Sequence, residues 1–275
     1  MFINSLGFIQ MIASTCMTGG QSGNDRNLDA VFHPERHPVF EGISDLQGFE
    51  DSWENNKHWV LSNLSHAAYY DKEKLISTLA PFLGVEAPDQ KSEAPLFRFY
   101  DVGSAQGFLV VWPDKAILSF RGTEGTKLKD ILADVRLFPV SVGESKVHSG
   151  FLGLVDDLWD DHILPDLQEF ADGKPVWVTG HSMGGAMATI AGMRYEFEDV
   201  VTIGEPRVGY NIDQEFKAKG HTRIVNGNDP VTKIPPPVPF VYEHHGEEIK
   251  IEDPVDGADV RFDHAPGDYS KYLKS

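Results

Sequence analysis

The sequence predicts an α/β fold with a central, mostly parallel sheet and helices on both of its faces. Three observations predict it. Short apolar runs alternate with helical stretches through the second half of the chain, the pattern of parallel strands joined by crossover helices. A glycine-rich turn at 180–185 joins one such run, Val176-Trp177-Val178, to a helix of small residues. Three strand-like runs lie close together ahead of the alternation and suggest an antiparallel start to the sheet.

Composition bounds the problem before any motif is read. The 275 residues divide into an N-terminal arm, 1–50, and one globular domain, 51–275. Hydrophobic residues at 41% and aromatics at 11% suffice for a core. With 24 Lys+Arg against 42 Asp+Glu, the formal charge is −18. That balance excludes nucleic acid as a partner, because phosphate binding needs clustered cations. It also excludes electrostatic capture by an anionic membrane. The single cysteine, Cys16, rules out an intrachain disulfide and a cysteine-based zinc site.

No run approaches the roughly 18 apolar residues of a membrane span, so no transmembrane partner is expected. The first fifteen residues lean apolar but lack a positive leading region, and Asn4, Ser5 and Gln10 interrupt them. They read as a segment packed on the domain or disordered more readily than as a signal peptide, and leave cytoplasmic and secreted locations both open.

In chain order, Gly19 to about Glu50 is polar and broken by Gly19-Gly20, Pro34 and Pro38, an extended arm. His33 and His37 are four apart, but Pro34 disfavours helix at His33, which argues against a metal pair. Helical spacing starts near Asp51, with Trp59, Val60, Leu64, Ala67 and Ala68, and continues through Leu75, Leu79 and Leu83 around Pro81. Strands are expected at 96–100, 108–112 and 116–120, the last after a Pro113-Asp114 turn. An amphipathic helical stretch covers about 151–170, a strand 176–178 and a helix 184–197. A strand at 200–203, a short helix near 212–219 and a strand at 222–225 follow. The proline-dense 230–239 reads as loop, with short strands at 241–243 and 248–251.

Gly180-His181-Ser182-Met183-Gly184 carries the chemistry. A serine on a tight strand-to-helix turn lifts its hydroxyl clear of the sheet, and glycine two residues either side leaves room for neighbouring chain. The helix N-terminus beside it favours developing negative charge. Five residues alone are weak; the strand before and helix after make the signal strong.

A serine needs a base and an orienting acid, expected downstream in the order acid, then histidine. Asp229 follows the 222–225 strand at its C-terminal end, where catalytic groups of parallel sheets collect. Asp213 falls in the expected helix, and Asp253, Asp256 and Asp259 fall in a polar loop. For the base, His244, His245 and His264 all remain open, with a small preference for His264 in a loop free to reach the elbow.

Several ordered motifs together resemble the class 3 lipase family, α/β-hydrolases related to fungal triacylglycerol lipases. They are Phe120-Arg121-Gly122-Thr123, Val147-His148-Ser149-Gly150-Phe151, the elbow with Met183 where leucine is usual, and Ile203-Gly204-Glu205-Pro206-Arg207-Val208-Gly209. The run from Asn226 to Pro235 and the late Asp263-His264 with Tyr269 complete the set. The resemblance spans roughly Trp59 to the C-terminus.

It implies an α/β-hydrolase fold with Ser182 as nucleophile, Asp229 as acid and His264 as base. It gives His244 a structural role, and His148, His181 and Arg207 scaffold hydrogen bonds. The implied oxyanion hole combines the Met183 N–H with Thr123. The segment 124–138 carries Leu128, Ile131, Leu132 and Val135 on one helical face, so two readings stand: a lid over the acyl pocket, or a helix packed permanently on the core.

The resemblance implies a serine ester hydrolase acting on acylglycerols, a neutral lipid or soluble ester substrate, with transient binding to a lipid interface. Phospholipid, galactolipid or feruloyl esters are the alternative substrates, and a non-catalytic binding module is the competing class. No metal-ligand spacing occurs in these motifs, so neither metal nor cofactor is expected.

Overall fold

The computed structural model describes residues 29–83, 96–123, 139–237, 239–251 and 262–274. Cys16 and the apolar face of Leu128, Ile131, Leu132 and Val135 lie outside the described residues.

A seven-stranded sheet runs through the described residues in the order β1-β2-β3-β6-β7-β9-β10. Strands β1 (Leu96–Val102), β2 (Ala105–Val111) and β3 (Ala116–Phe120) form the antiparallel start. From β3 onward pairing is parallel, through β6 (Val176–His181), β7 (Asp199–Ile203), β9 (His221–Asn226) and β10 (Glu247–Ile251).

Both faces are covered, which explains why these strands read as continuous apolar runs. Successive residues point to opposite sides. Leu109, Leu118, Val178 and Val200 enter one core, packed by α4 (Ser149–Leu158), α5 (Leu164–Phe170) and α6 (Met183–Arg194). Val110, Ile117, Val201 and Ile203 enter the other core, beneath α1 (Leu46–Asn55), α2 (Lys57–Ala67) and α3 (Lys72–Leu83). Helix α7 (Pro266–Leu273) lies against α2.

Phe120, Gly180, Thr202 and Arg223 share one rung of the parallel ladder. The segments that follow them, 121–123, 181–183, 203–205 and 224–229, therefore leave the sheet at the same edge. That edge is where ligands of open α/β sheets bind.

The structure departs from the sequence reading at five places. The first helix begins at Leu46, not Asp51, because Asp45 caps it by accepting the Gly48 N–H at 2.9 Å. Upstream of it, part of the expected arm packs into the body: Pro34, Val39 and Phe40 are buried. Phe40 meets the rings of Phe49, Trp59 and Phe82, and its N–H donates to Asn63 Oδ1 at 2.7 Å. The polar average of the segment concealed these few anchoring side chains.

The helix expected near 212–219 is a single 3-10 turn, Ile212–Gln214, because the Lys217 and Ala218 N–H groups donate to the Gly192 carbonyl instead of continuing a helix. A small antiparallel sheet, β4 (Pro139–Val142), β5 (Ser145–His148) and β8 (Gly209–Tyr210), was not foreseen. Residues 241–243 hold isolated bridge residues, with Glu243 bridging to Gly209, in place of a strand.

If residues 34–50 belong to the folded body, Phe40→Ala should destabilise the protein by about 3–5 kcal/mol, the cost of emptying an aromatic site in a core. Urea unfolding followed by tryptophan fluorescence measures it. A loss below about 0.5 kcal/mol would mean that the segment is only draped on the surface.

Candidate active site

The elbow is built by the crossing of β6 into α6. Ser182 has φ 59° and ψ −126°, a left-handed backbone for a non-glycine residue. Its N–H donates to the Ile203 carbonyl at 2.8 Å, and its carbonyl accepts the Gly185 N–H at 2.9 Å. The chain doubles back so sharply that a side chain at Gly180 would collide with the Gly184 carbonyl, and one at Gly184 with the Phe120 carbonyl. Close approach, more than turn conformation, requires both glycines.

Three residues separated in sequence meet there. His264 Nδ1 donates to Asp229 Oδ2 at 2.7 Å, and its Nε2 accepts the Ser182 hydroxyl at 2.9 Å. This is one consistent neutral tautomer. Ser182, Asp229 and His264 are all buried. Asp229 is further satisfied by the Val231 N–H on Oδ1 at 2.8 Å and by the Tyr269 hydroxyl on Oδ2 at 2.7 Å. Burial, and then the Asp229 charge, push the Tyr269 phenol well above its usual range, so it stays a donor.

The expected alternatives to His264 lie elsewhere. The His244 ring donates from Nε2 to the Thr232 carbonyl at 2.8 Å, and burial pushes it down to about 4. His245 Nδ1 pairs with Asp213 Oδ1 at 2.8 Å.

Thr123 lies across from the first turn of α6, where its hydroxyl donates to Met183 Sδ at 3.0 Å. Thioether sulfur is a weak acceptor, so this hydroxyl can turn to a better one. Met183 is the first residue of α6, where backbone N–H groups lack intrahelical partners.

His181, the residue before the serine, connects the elbow to His264. Its Nε2 donates to the His264 carbonyl at 2.9 Å, and its Nδ1 accepts the Tyr69 hydroxyl at 2.8 Å. Burial, and then the neighbouring His264, hold His181 well below the ordinary histidine range, so it is neutral. His148 Nδ1 accepts the Gly150 and Phe151 N–H groups at the start of α4. Arg207 donates to the Lys233 and Pro235 carbonyls, closing the loop after Asp229.

Among the described residues, no group of three or more His, Cys, Asp or Glu could hold a metal ion. Among the same residues, no helix is long and apolar enough to cross a membrane.

Residues 117–238, which hold the elbow and Asp229, match the family model described as Lipase (class 3). Over this stretch the chain is similar to the class 3 lipase family.

A lipase of Rhizomucor miehei is 32% identical over 151 residues, 49% of this chain and 41% of that protein. The secreted mono- and diacylglycerol lipase 1 of Fusarium solani is 33% identical over 119 residues, 38% of this chain and 34% of that protein. The chain thus spans 41% and 34% of the length of these two relatives. In fold it is similar to the crystal structure of the lipase from Rhizopus microsporus var. chinensis, with a TM-score of 0.52 at 22% identity over 87% of each chain.

Two features of this site were not read from the sequence. One is the Tyr69 hydroxyl behind His181, more than a hundred residues away in the chain, for which no local signal exists. The other is the bond from Tyr269 to Asp229; Tyr269 stood out only as part of a motif, with no role attached.

Burial lowers the pKa of several histidines of the described residues. His66 is pushed down to about 4, and His58, His148, His181, His244 and His245 are all lowered. The unfolded chain binds protons at these residues from about pH 6.5, while the folded protein does not. Stability should therefore fall as pH drops from about 6.5 towards about 4. A lower urea midpoint at pH 5 than at pH 8 is expected; an equal or higher one would contradict this account.

Proposed function

We propose that the chain is a serine carboxylester hydrolase acting on acylglycerols, with Ser182 as nucleophile, His264 as general base and Asp229 as its orienting acid. The observation that carries the reading is the continuous hydrogen-bonded line from Ser182 through His264 to Asp229 at a strand-to-helix elbow.

His264 removes the Ser182 proton as Oγ attacks the ester carbonyl carbon. Asp229 holds the imidazole in its Nδ1–H tautomer and stabilises the imidazolium that forms. The tetrahedral oxyanion is met by the Met183 N–H and by Thr123, whose hydroxyl turns from the sulfur to the stronger acceptor. The alcohol leaves with the proton from His264, and water then cleaves the acyl-enzyme by the same route. A formal net charge of −18 suits an uncharged ester substrate better than an anionic one.

Hydrolysis of nitrophenyl esters of increasing acyl length tests the reading. The wild type should turn them over, and Ser182→Ala should lower kcat by at least about 10⁴-fold. His264→Ala should fall comparably, whereas His244→Ala should retain most of the activity. Absence of hydrolysis at every acyl length would sink the proposal, and activity confined to the shortest acyl chains would move the substrate class from acylglycerols to small esters.

A further inference from the structure

The base stands in a segment with little secondary structure of its own. Phe262–His264 is one 3-10 turn, and α7 begins two residues beyond the histidine. The acid is likewise carried on a tight turn, 226–229, closed by the Asp229 N–H donating to the Asn226 carbonyl. Two short turns must therefore hold a donor and an acceptor in register, and the proposed steps use only Asp229 and His264 themselves.

Asp263, beside the base, ties these two turns together. It is buried, and its Oδ2 accepts the Asn228 N–H at 2.8 Å. Its backbone carbonyl accepts Asn226 Nδ2 at 3.2 Å. Between these contacts lies Gly227 at φ +47°, where a β-carbon would come within 2.6 Å of Asp263 Oδ2. The missing side chain is what lets the carboxylate reach the backbone. The residue preceding the base thus grips the residue preceding the acid, alongside the His264–Asp229 bond.

We infer that Asp263 is a positioning residue, a buried carboxylate that locks the acid turn to the base turn and so sets the His264–Asp229 geometry before substrate arrives. The inference rests on the reading of Ser182 as a nucleophile served by that pair. A carboxylate accepting a backbone N–H makes a stronger tie than a neutral acceptor. Displacing a reacting group by about 1 Å can cost roughly 10²-fold in rate, so a clamp on both turns acts directly on turnover.

The test is kinetics per competent site, with sites counted by covalent phosphonate labelling of the serine and stability followed as Tm. Asp263→Ala should lower kcat per labelled site by about 10- to 100-fold while KM stays within about twofold. Asp263→Asn, which keeps an oxygen for the Asn228 N–H, should remain within about threefold of wild type. In an Asp229→Ala background the Asp263→Ala change should add less than about threefold, because its effect passes through Asp229.

Should the alanine variant fail to fold, Asp263→Ser, too short to reach Asn228, gives the same comparison. Unchanged kcat per labelled site with a lowered Tm would overturn the inference in favour of a purely structural role. So would an asparagine variant as impaired as the alanine one, or full multiplication of the losses in the double variant. A wild type that hydrolyses no ester at all would instead overturn the esterase reading.

Discussion

Ser182 holds a left-handed backbone that costs an ordinary residue about 1–3 kcal/mol, and the structure around it is arranged to make that conformation the only one available. The Ser182 N–H is held by Ile203 in the neighbouring strand, and its carbonyl is held by the first turn of α6. Gly180 and Gly184 leave no space for side chains between that helix and the ends of β3 and β6. The strain is opposed by a rigid α/β body, since both faces of the parallel sheet are packed and neither β6 nor α6 can relax without opening a core. Everything proposed for the site depends on this turn, because it sets where the hydroxyl points.

Around that fixed point the polar groups are satisfied in a definite order. Asp229 is buried and accepts from Val231, His264 and Tyr269, so its charge is held by three donors rather than by a cation. Neutral His181 links the elbow to the His264 carbonyl and is itself oriented by Tyr69. Asp263 reaches the turn that carries Asp229 from the other side. The imidazole therefore gains its position from backbone contacts on both flanks, which leaves its two nitrogens for Asp229 and Ser182. Burial holds His181 well below the ordinary histidine range, so it stays uncharged near neutral pH.

How much of this was legible in the sequence varied with the range of the interactions involved. Apolar runs such as 116–120 and 176–178 and the glycine spacing around Ser182 are local signals, and the strands and elbow appeared where they pointed. The helix near 212–219 failed because its backbone donors found a distant acceptor, Gly192, that no local pattern reveals. Residues 34–50 were misread as a loose arm because a few aromatics in a polar stretch gain their meaning only from the pocket they enter. Among His244, His245 and His264 the residues by themselves offered only a slight preference, since strand or loop membership does not state which turn faces the elbow.

The sequence by itself determined the alternation of strands and helices, the strained turn at Ser182 and the position of Asp229 beyond a strand end. Each follows from side-chain periodicity and backbone sterics acting over a few residues. The resemblance pointed to His264 and to Thr123 beside Met183, but only the tertiary structure decided their contacts and that Tyr69, Tyr269 and Asp263 surround the line. These contacts join parts of the chain tens of residues or more apart, and they exist because parallel pairing brings the C-terminal ends of β3, β6, β7 and β9 to one edge of the sheet.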